Sequence, residues 1–202
     1  TLSHQAHTIS TALLNPKMSL VVPGDAVGII MPMTPECVAI YLGIILAGCV
    51  VVSIADSFSP VEMEARLRVG NAVVVFTQDV VKRGKKGLPL LPRVQKACDD
   101  LECTHKRKRP RIVVVVGVQH DDDDDDDDNG GGREDSNNST TTPFKMHPRD
   151  ITWDFFLQNN NNNNTSTDTN TAIPPHVSTK CHSADAYDTT NILFSSGTTG
   201  EP

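Results

Sequence analysis

Four hydroxyl side chains and two glycines fall together at Ser195-Ser196-Gly197-Thr198-Thr199-Gly200, directly behind the apolar Ile192-Leu193-Phe194. Glycine lets backbone turn sharply and approach a ligand closely. Ser and Thr hydroxyls add hydrogen-bond donors without adding charge. Backbone N–H groups gathered in such a turn form a concavity suited to an anion, above all a phosphate. A flexible Ser/Gly linker would share this composition but has no need of an apolar strand in front of it. The run is not a Walker A loop, because Gly-Lys-Ser/Thr occurs nowhere in the chain.

The chemistry at this run requires elements that hold it in place. Ile192-Leu193-Phe194 reads as a strand entering a core, with strand character expected over 191–195. Upstream, Ser10 to Leu14 reads as a helix end stopped near Asn15-Pro16, and Pro23-Gly24-Asp25 is a turn. Ala26 to Met31 reads as a buried strand. Thr34-Pro35-Glu36 has the chemistry of a helix start: an N-cap hydroxyl, Pro at the first helical position and an acid against the dipole. That helix is expected to reach Ala47 and stop at Gly48, with the β-branched run Val50 to Ile54 as the next strand. Ser59 and Glu62 have capping-box spacing for a helix ending near Gly70. Further strands are expected over Ala72 to Phe76 and Ile112 to Val116. Helices are expected over Leu90 to Cys98 and, short and amphipathic, over Asp150 to Leu157. Alternation of this kind predicts an α/β fold with a largely parallel sheet flanked by helices.

Val38 to Ala55 is uncharged over eighteen residues, long enough in principle for a membrane span. Gly48 and the switch to β-branched residues split it into helix and strand, so no span is expected.

The 202 residues suit one ordinary domain, and low aromatic content (4%) points to a core of Val, Ile, Leu and Ala. Formal net charge is -7, and setting aside the eight aspartates Asp121–Asp128 leaves the rest at +1. The acidity is thus one local tract, and nothing in the balance calls for a nucleic-acid partner. The tracts 121–142 and 159–170 cannot bury apolar surface and are expected to be disordered inserts outside the core. The basic run His105 to Arg109 is expected to be a solvated face before a strand, loosely paired with the Asp run. Five cysteines, an odd number without any Cys-x-x-Cys, suggest buried free thiols in a reducing compartment. Cys98, Cys103, His105, Cys181 and His182 match no metal-ligand spacing, so no metal site is expected.

Phe194-Ser195-Ser196-Gly197-Thr198-Thr199-Gly200-Glu201-Pro202 resembles the phosphate-binding signature of the AMP-forming acyl-activating enzymes. Its six hydroxyl and glycine residues would arise by chance in a chain this size on the order of once in 100,000. Leu46-Ala47-Gly48-Cys49-Val50-Val51-Val52-Ser53-Ile54-Ala55-Asp56 resembles the same superfamily's helix-to-strand motif, and Gly24 to Thr34 fits as well. Ser53 to Phe58 and Phe76-Thr77-Gln78-Asp79 are most similar to plant-type peroxisomal members.

The resemblance implies that 1–202 is the N-terminal part of the large domain of an adenylate-forming enzyme, a piece of a longer protein. It implies a carboxylate activated by ATP as acyl-AMP, then transferred to coenzyme A, with Mg²⁺ accompanying the nucleotide. Ser195, Ser196, Gly197, Thr198, Thr199 and Gly200 would hold the β- and γ-phosphates of ATP. No catalytic residue is expected in this stretch, which alone should be inactive, and the partner is a small carboxylic acid. By resemblance the location is peroxisomal, with cytoplasmic as the alternative. The competing readings are a non-catalytic nucleotide-binding module of the same fold and an interaction protein using its Asp and Asn tracts.

Overall fold

The computed structural model describes residues 1–84, 86–105, 108–115, 144–158, 182–183 and 185–194. The inserts 121–142 and 159–170 and the run Ser195–Gly200 lie outside the described residues.

The first helix, α1 (Leu2–Leu13), precedes strand β1 (Ala26–Ile30). Helix α2 (Pro35–Leu46) then leads to strand β2 (Val50–Ser53), and α3 (Pro60–Gly70) to β3 (Ala72–Gln78). A hairpin, β4 (Val80–Arg83) and β5 (Lys86–Pro89), precedes α4 (Leu91–His105) and β6 (Arg111–Val115). After the first insert come β7 (Ile151–Thr152), α5 (Trp153–Gln158) and finally β8 (Asn191–Ile192). Among the described residues six strands form one sheet in the order β7-β6-β3-β1-β2-β8, every pair parallel.

Local chemistry sets the helix ends. Thr34 accepts a hydrogen bond from the Cys37 N–H at 3.2 Å and Pro35 occupies the first turn. At the other end Gly48 adopts φ +72, and the Gly48 and Cys49 N–H groups close on the carbonyls of Ile45 and Ile44. That paired closure is the Schellman motif, which needs a left-handed residue just beyond the cap. Any Cβ at Gly48 would also run into the His182 ring. The Ser59–Glu62 capping box is complete, with the Ser59 N–H on Glu62 Oε2 at 2.8 Å. The bonds from Ser59 hold the exposed Glu62 carboxyl below the usual carboxylate range. Asn71, in the left-handed region at φ 52, ends α3 one residue past Gly70.

The strands are buried on both faces, which is why they read as continuous apolar runs. Val27, Ile29, Val51, Val74, Phe76 and Val113 face Ile9, Leu13, Ile40, Ile44 and Phe156 of α1, α2 and α5. Val52, Val75, Ile112 and Val114 face Met63 and Leu67 of α3 and Leu91, Val94, Cys98 and Leu101 of α4. Phe76, Trp153 and Phe156 close the first face with edge and stacked ring contacts.

As expected, the uncharged stretch Val38–Ala55 is divided between α2 and β2, and among the described residues no helix is long and apolar enough to cross a membrane. Other expectations need correction. The β4–β5 hairpin is not expected from the sequence pattern; it turns at Gly84, φ +60, and α4 continues seven residues past Cys98 to His105. Ile151–Thr152 were expected to be helical but pair with Val113–Val114 of β6. Open hydrogen-bonding groups on that edge, and burial of Ile151 beside Phe156, outweigh the local helical pattern.

Among the described residues the 191–195 strand is shorter than expected: Asn191–Ile192 pair, and Leu193 is 74% exposed. Asn191 and Ile192 are only partly buried, so this apolar run is not wholly core. The solvated basic face is also wrong at one position. Arg109 is 4% exposed, with Nε 2.6 Å from Asp99 and Nη1 2.9 Å from Asp150. Burial works against the Arg109 charge, but the hydrogen bonds it donates to Asp150 and Asp99 outweigh it and hold the guanidinium more firmly protonated than usual. Gln95 Nε2 donates to Asp150 Oδ2 and to the Lys145 carbonyl, both at 3.0 Å. Together these contacts pin the chain to α4 where it returns from the first insert.

Candidate functional site

Because its paired strands are parallel, the sheet brings the carboxyl ends of β1, β2, β3 and β8 to one edge. From β1 the chain passes to α2 on one face. From β2 it passes to α3 on the other, the face that also carries α4. Neighbouring strands that depart to opposite faces open a crevice beyond their carboxyl ends, where ligands bind in open α/β sheets. β8 pairs with β2 in the register Val51↔Asn191 and Val52↔Ile192, and Ser53 Oγ donates to Asn191 Oδ1 at 3.5 Å. Leu193 and Phe194 therefore emerge at that edge. Ser195 comes directly after Phe194 in the chain, and Ser195, Ser196, Gly197, Thr198, Thr199 and Gly200 lie outside the described residues.

The described part of the edge is organised by three arginines. Arg83 makes a two-pronged ion pair with Asp56, both contacts 2.8 Å. Arg93 donates to the carbonyls of Asp56 and Ser57, at 3.1 and 3.3 Å, and to that of Phe58. Arg66 places its guanidinium 3.9 Å from the centre of the Phe58 ring and 5.6 Å from that of Phe194. The loop leaving β2 is thus tied to the hairpin after β3, to α4 and to α3. At the base of the hairpin, the Leu90 and Leu91 N–H groups both close on the Asp79 carbonyl, at 2.9 and 3.1 Å. Sequence reasoning missed these arginines. The available signal was Arg66 itself, a cation three residues from Met63 and four from Gly70, inside the buried stripe of α3.

The cysteines divide by environment. Cys37, Cys49 and Cys98 are buried free thiols, as expected, whereas Cys103 is exposed. Burial, with a further push from Asp25, raises the Cys49 thiol to about 12. Burial, helped by the charges of Asp150 and Asp99, outweighs the Arg109 charge at Cys98 and raises it to about 12 as well. Cys37 is raised by the same desolvation. A thiol so displaced carries almost no thiolate near neutrality and is no nucleophile. Brief alkylation of the native full-length protein at pH 7.5, mapped by peptide mass spectrometry, is expected to label Cys103 and spare Cys37, Cys49 and Cys98. Labelling of Cys98 at the Cys103 rate would contradict this packing. Among the described residues no three His, Cys, Asp or Glu side chains gather as metal ligands. Cys98 lies on α4, whereas the His182 N–H closes on the Leu46 carbonyl at the end of α2, on the opposite face.

A parallel sheet covered by helices on both faces, with its loops crossing over at the carboxyl edge, defines a doubly wound α/β domain. The chain belongs to the AMP-binding enzyme family, whose model matches residues 2–202. It is 38% identical over 179 residues to hexanoyl-CoA synthase of Cannabis sativa, covering 89% of this chain. It is 39% identical over 178 residues to probable acyl-activating enzyme 17, peroxisomal, of Arabidopsis thaliana, covering 88% of this chain. It is 36% identical over 183 residues to probable acyl-activating enzyme 18, peroxisomal, of the same plant, covering 89% of this chain. The chain spans about 19% of the length of each of these relatives.

Proposed function

We propose that these residues are the N-terminal portion of an ATP-dependent carboxylate–CoA ligase, with Ser195–Gly200 holding the β- and γ-phosphates. The observation that carries this is the junction at Phe194. The hydroxyl-and-glycine run follows, after Leu193 and Phe194, a strand that leaves the parallel sheet at its carboxyl edge. The similarity to a hexanoyl-CoA synthase supports coenzyme A as the thiol acceptor.

In the proposed first step an already ionised carboxylate oxygen attacks the α-phosphorus of ATP, so no general base is required. The bond to the bridging oxygen breaks and pyrophosphate leaves with the charge of that bond. Donors aimed at the developing charge lower the barrier, because they are oriented before it appears. The Ser195, Ser196, Thr198 and Thr199 hydroxyls and the amides near Gly197 and Gly200 are those donors, and Mg²⁺ enters with ATP as part of the substrate. In the second step the coenzyme A thiol attacks the acyl carbonyl and AMP leaves. Residues 1–202 alone are expected to be inactive.

The test is acid-dependent ATP–pyrophosphate exchange by the full-length protein, then coenzyme A-dependent release of AMP. Exchange without release would reduce the proposal to adenylation alone. Absence of both, with a folded protein and a broad acid panel, would leave only a binding module. Two peroxisomal relatives support a peroxisomal location for the full-length protein. A fluorescent fusion preserving the native C terminus is expected to give peroxisomal puncta, and diffuse cytosolic signal would refute it.

A further inference from the structure

We infer that Arg66 is a positioning residue for the Ser195–Gly200 run, acting through Phe194; the inference rests on the function proposed for that run. Arg66 is 7% exposed, on the α3 face that packs against the sheet. An apolar residue would suit that place, since a buried cation is costly unless its charge is met. The Glu62 carboxylate one turn back feels the Arg66 charge, but among the described residues no carboxylate forms an ion pair with it. Its partners are one carbonyl, that of Glu62 at 3.0 Å from Nη1, and two ring faces. Its Nε has no hydrogen-bond partner among the described residues.

The two rings belong to different strand exits. Phe58 closes the loop after β2, immediately before the Ser59 cap of α3. Phe194 is two residues beyond β8 and one before Ser195. Both rings lie within the range at which a guanidinium is attracted to an aromatic face, Phe58 the closer. β8 offers only two paired residues to anchor the chain beyond it. The Arg66 guanidinium supplies a second attachment, from α3 to the residue that roots the loop. Phe58 cannot drift in turn, because Arg93 holds the carbonyls at 56, 57 and 58. Aligned donors reach a phosphate only if the loop's root is held, and a misplacement of about 1 Å is enough to cost activity.

The experiment uses the full-length enzyme in ATP–pyrophosphate exchange, with thermal midpoints measured alongside. Arg66→Met keeps the bulk and removes the planar cation. It is expected to raise the KM for ATP roughly three- to tenfold, leaving the KM for the acid unchanged. Arg66→Lys, a point charge without the stacking plane, should fall between. Phe194→Leu should give a similar rise in the ATP KM, and the double variant should be no worse than the worse single one. A merely structural arginine predicts a lowered midpoint with an unchanged ATP KM, which would overturn the inference, as would additive effects of Arg66→Met and Phe194→Leu. If Arg66→Met does not fold, a wild-type ATP KM in Phe194→Leu overturns it alone. Thr199→Ala in the same assay separates the two levels. A wild-type Thr199→Ala overturns the phosphate-binding reading and the inference with it. An impaired Thr199→Ala beside a wild-type Arg66→Met overturns only the inference.

Discussion

Gly200→Val in the full-length protein is expected to lower ATP–pyrophosphate exchange more than any other single change in the loop. Thr199→Ala removes one hydroxyl donor to a charged phosphate oxygen, a bond worth about 1.5–3 kcal/mol. That corresponds to roughly ten- to a hundredfold in adenylate formation. Gly200→Val should exceed this, because a β-branched side chain forbids both positive φ and close approach of backbone to phosphate. Neither variant should change the preference between two acids, since the loop is proposed to touch the polyphosphate and not the acyl group. Wild-type exchange in both variants would show the run to be a linker. A shifted acid preference would place the acyl site at the loop.

Asp150→Ala should produce the largest loss of stability. The Asp150 side chain is fully buried and that of Arg109 is 4% exposed, at 2.9 Å from each other. Removing one partner leaves a buried guanidinium with only the partly exposed Asp99 to meet its charge, and breaking such a pair costs about 3–5 kcal/mol. The His147 N–H and Gln95 Nε2, at 3.1 and 3.0 Å from Asp150 Oδ2, lose their acceptor as well. Chemical denaturation of the full-length protein should show the transition of this domain moving to lower denaturant. The paired change Arg109→Met with Asp150→Leu should recover the part of the loss due to the unpaired charge, since apolar replacement of both ions removes the desolvation cost along with the attraction, but not the part due to the His147 N–H and Gln95. A change under about 0.5 kcal/mol for Asp150→Ala would mean that the pair is solvated and that the return from the first insert is held by something else.

Much of the frame was legible because its signals are local. Thr34-Pro35-Glu36, the Ser59–Glu62 box and the Gly48 stop act within one helical turn, and each works in the fold as its residue types require. The strands at β1, β2, β3 and β6 were legible because burial on both faces demands unbroken apolar runs. The β4–β5 hairpin was not, because Lys82, Arg83 and Lys86 hide a pairing that rests on backbone bonds and on the Asp56–Arg83 contact. Nor was β7, where two residues exchange a helical pattern for the free edge of β6.

By itself, the order of residues determined α2, α3 and the buried strands β1, β2, β3 and β6, and that these strands run parallel. Caps, breakers and side-chain periodicity are short-range properties, complete within a few residues. Only the tertiary structure decided that β8 lies beside β2, which brings Phe194 to the edge shared by β1, β2 and β3. Only it decided that Arg109, written in a run of cations, sits in the interior, and that Arg66 spans two phenylalanines 136 positions apart. The reason is that a charge is stabilised by whatever surrounds it in space, and those partners come from elements that no local pattern connects.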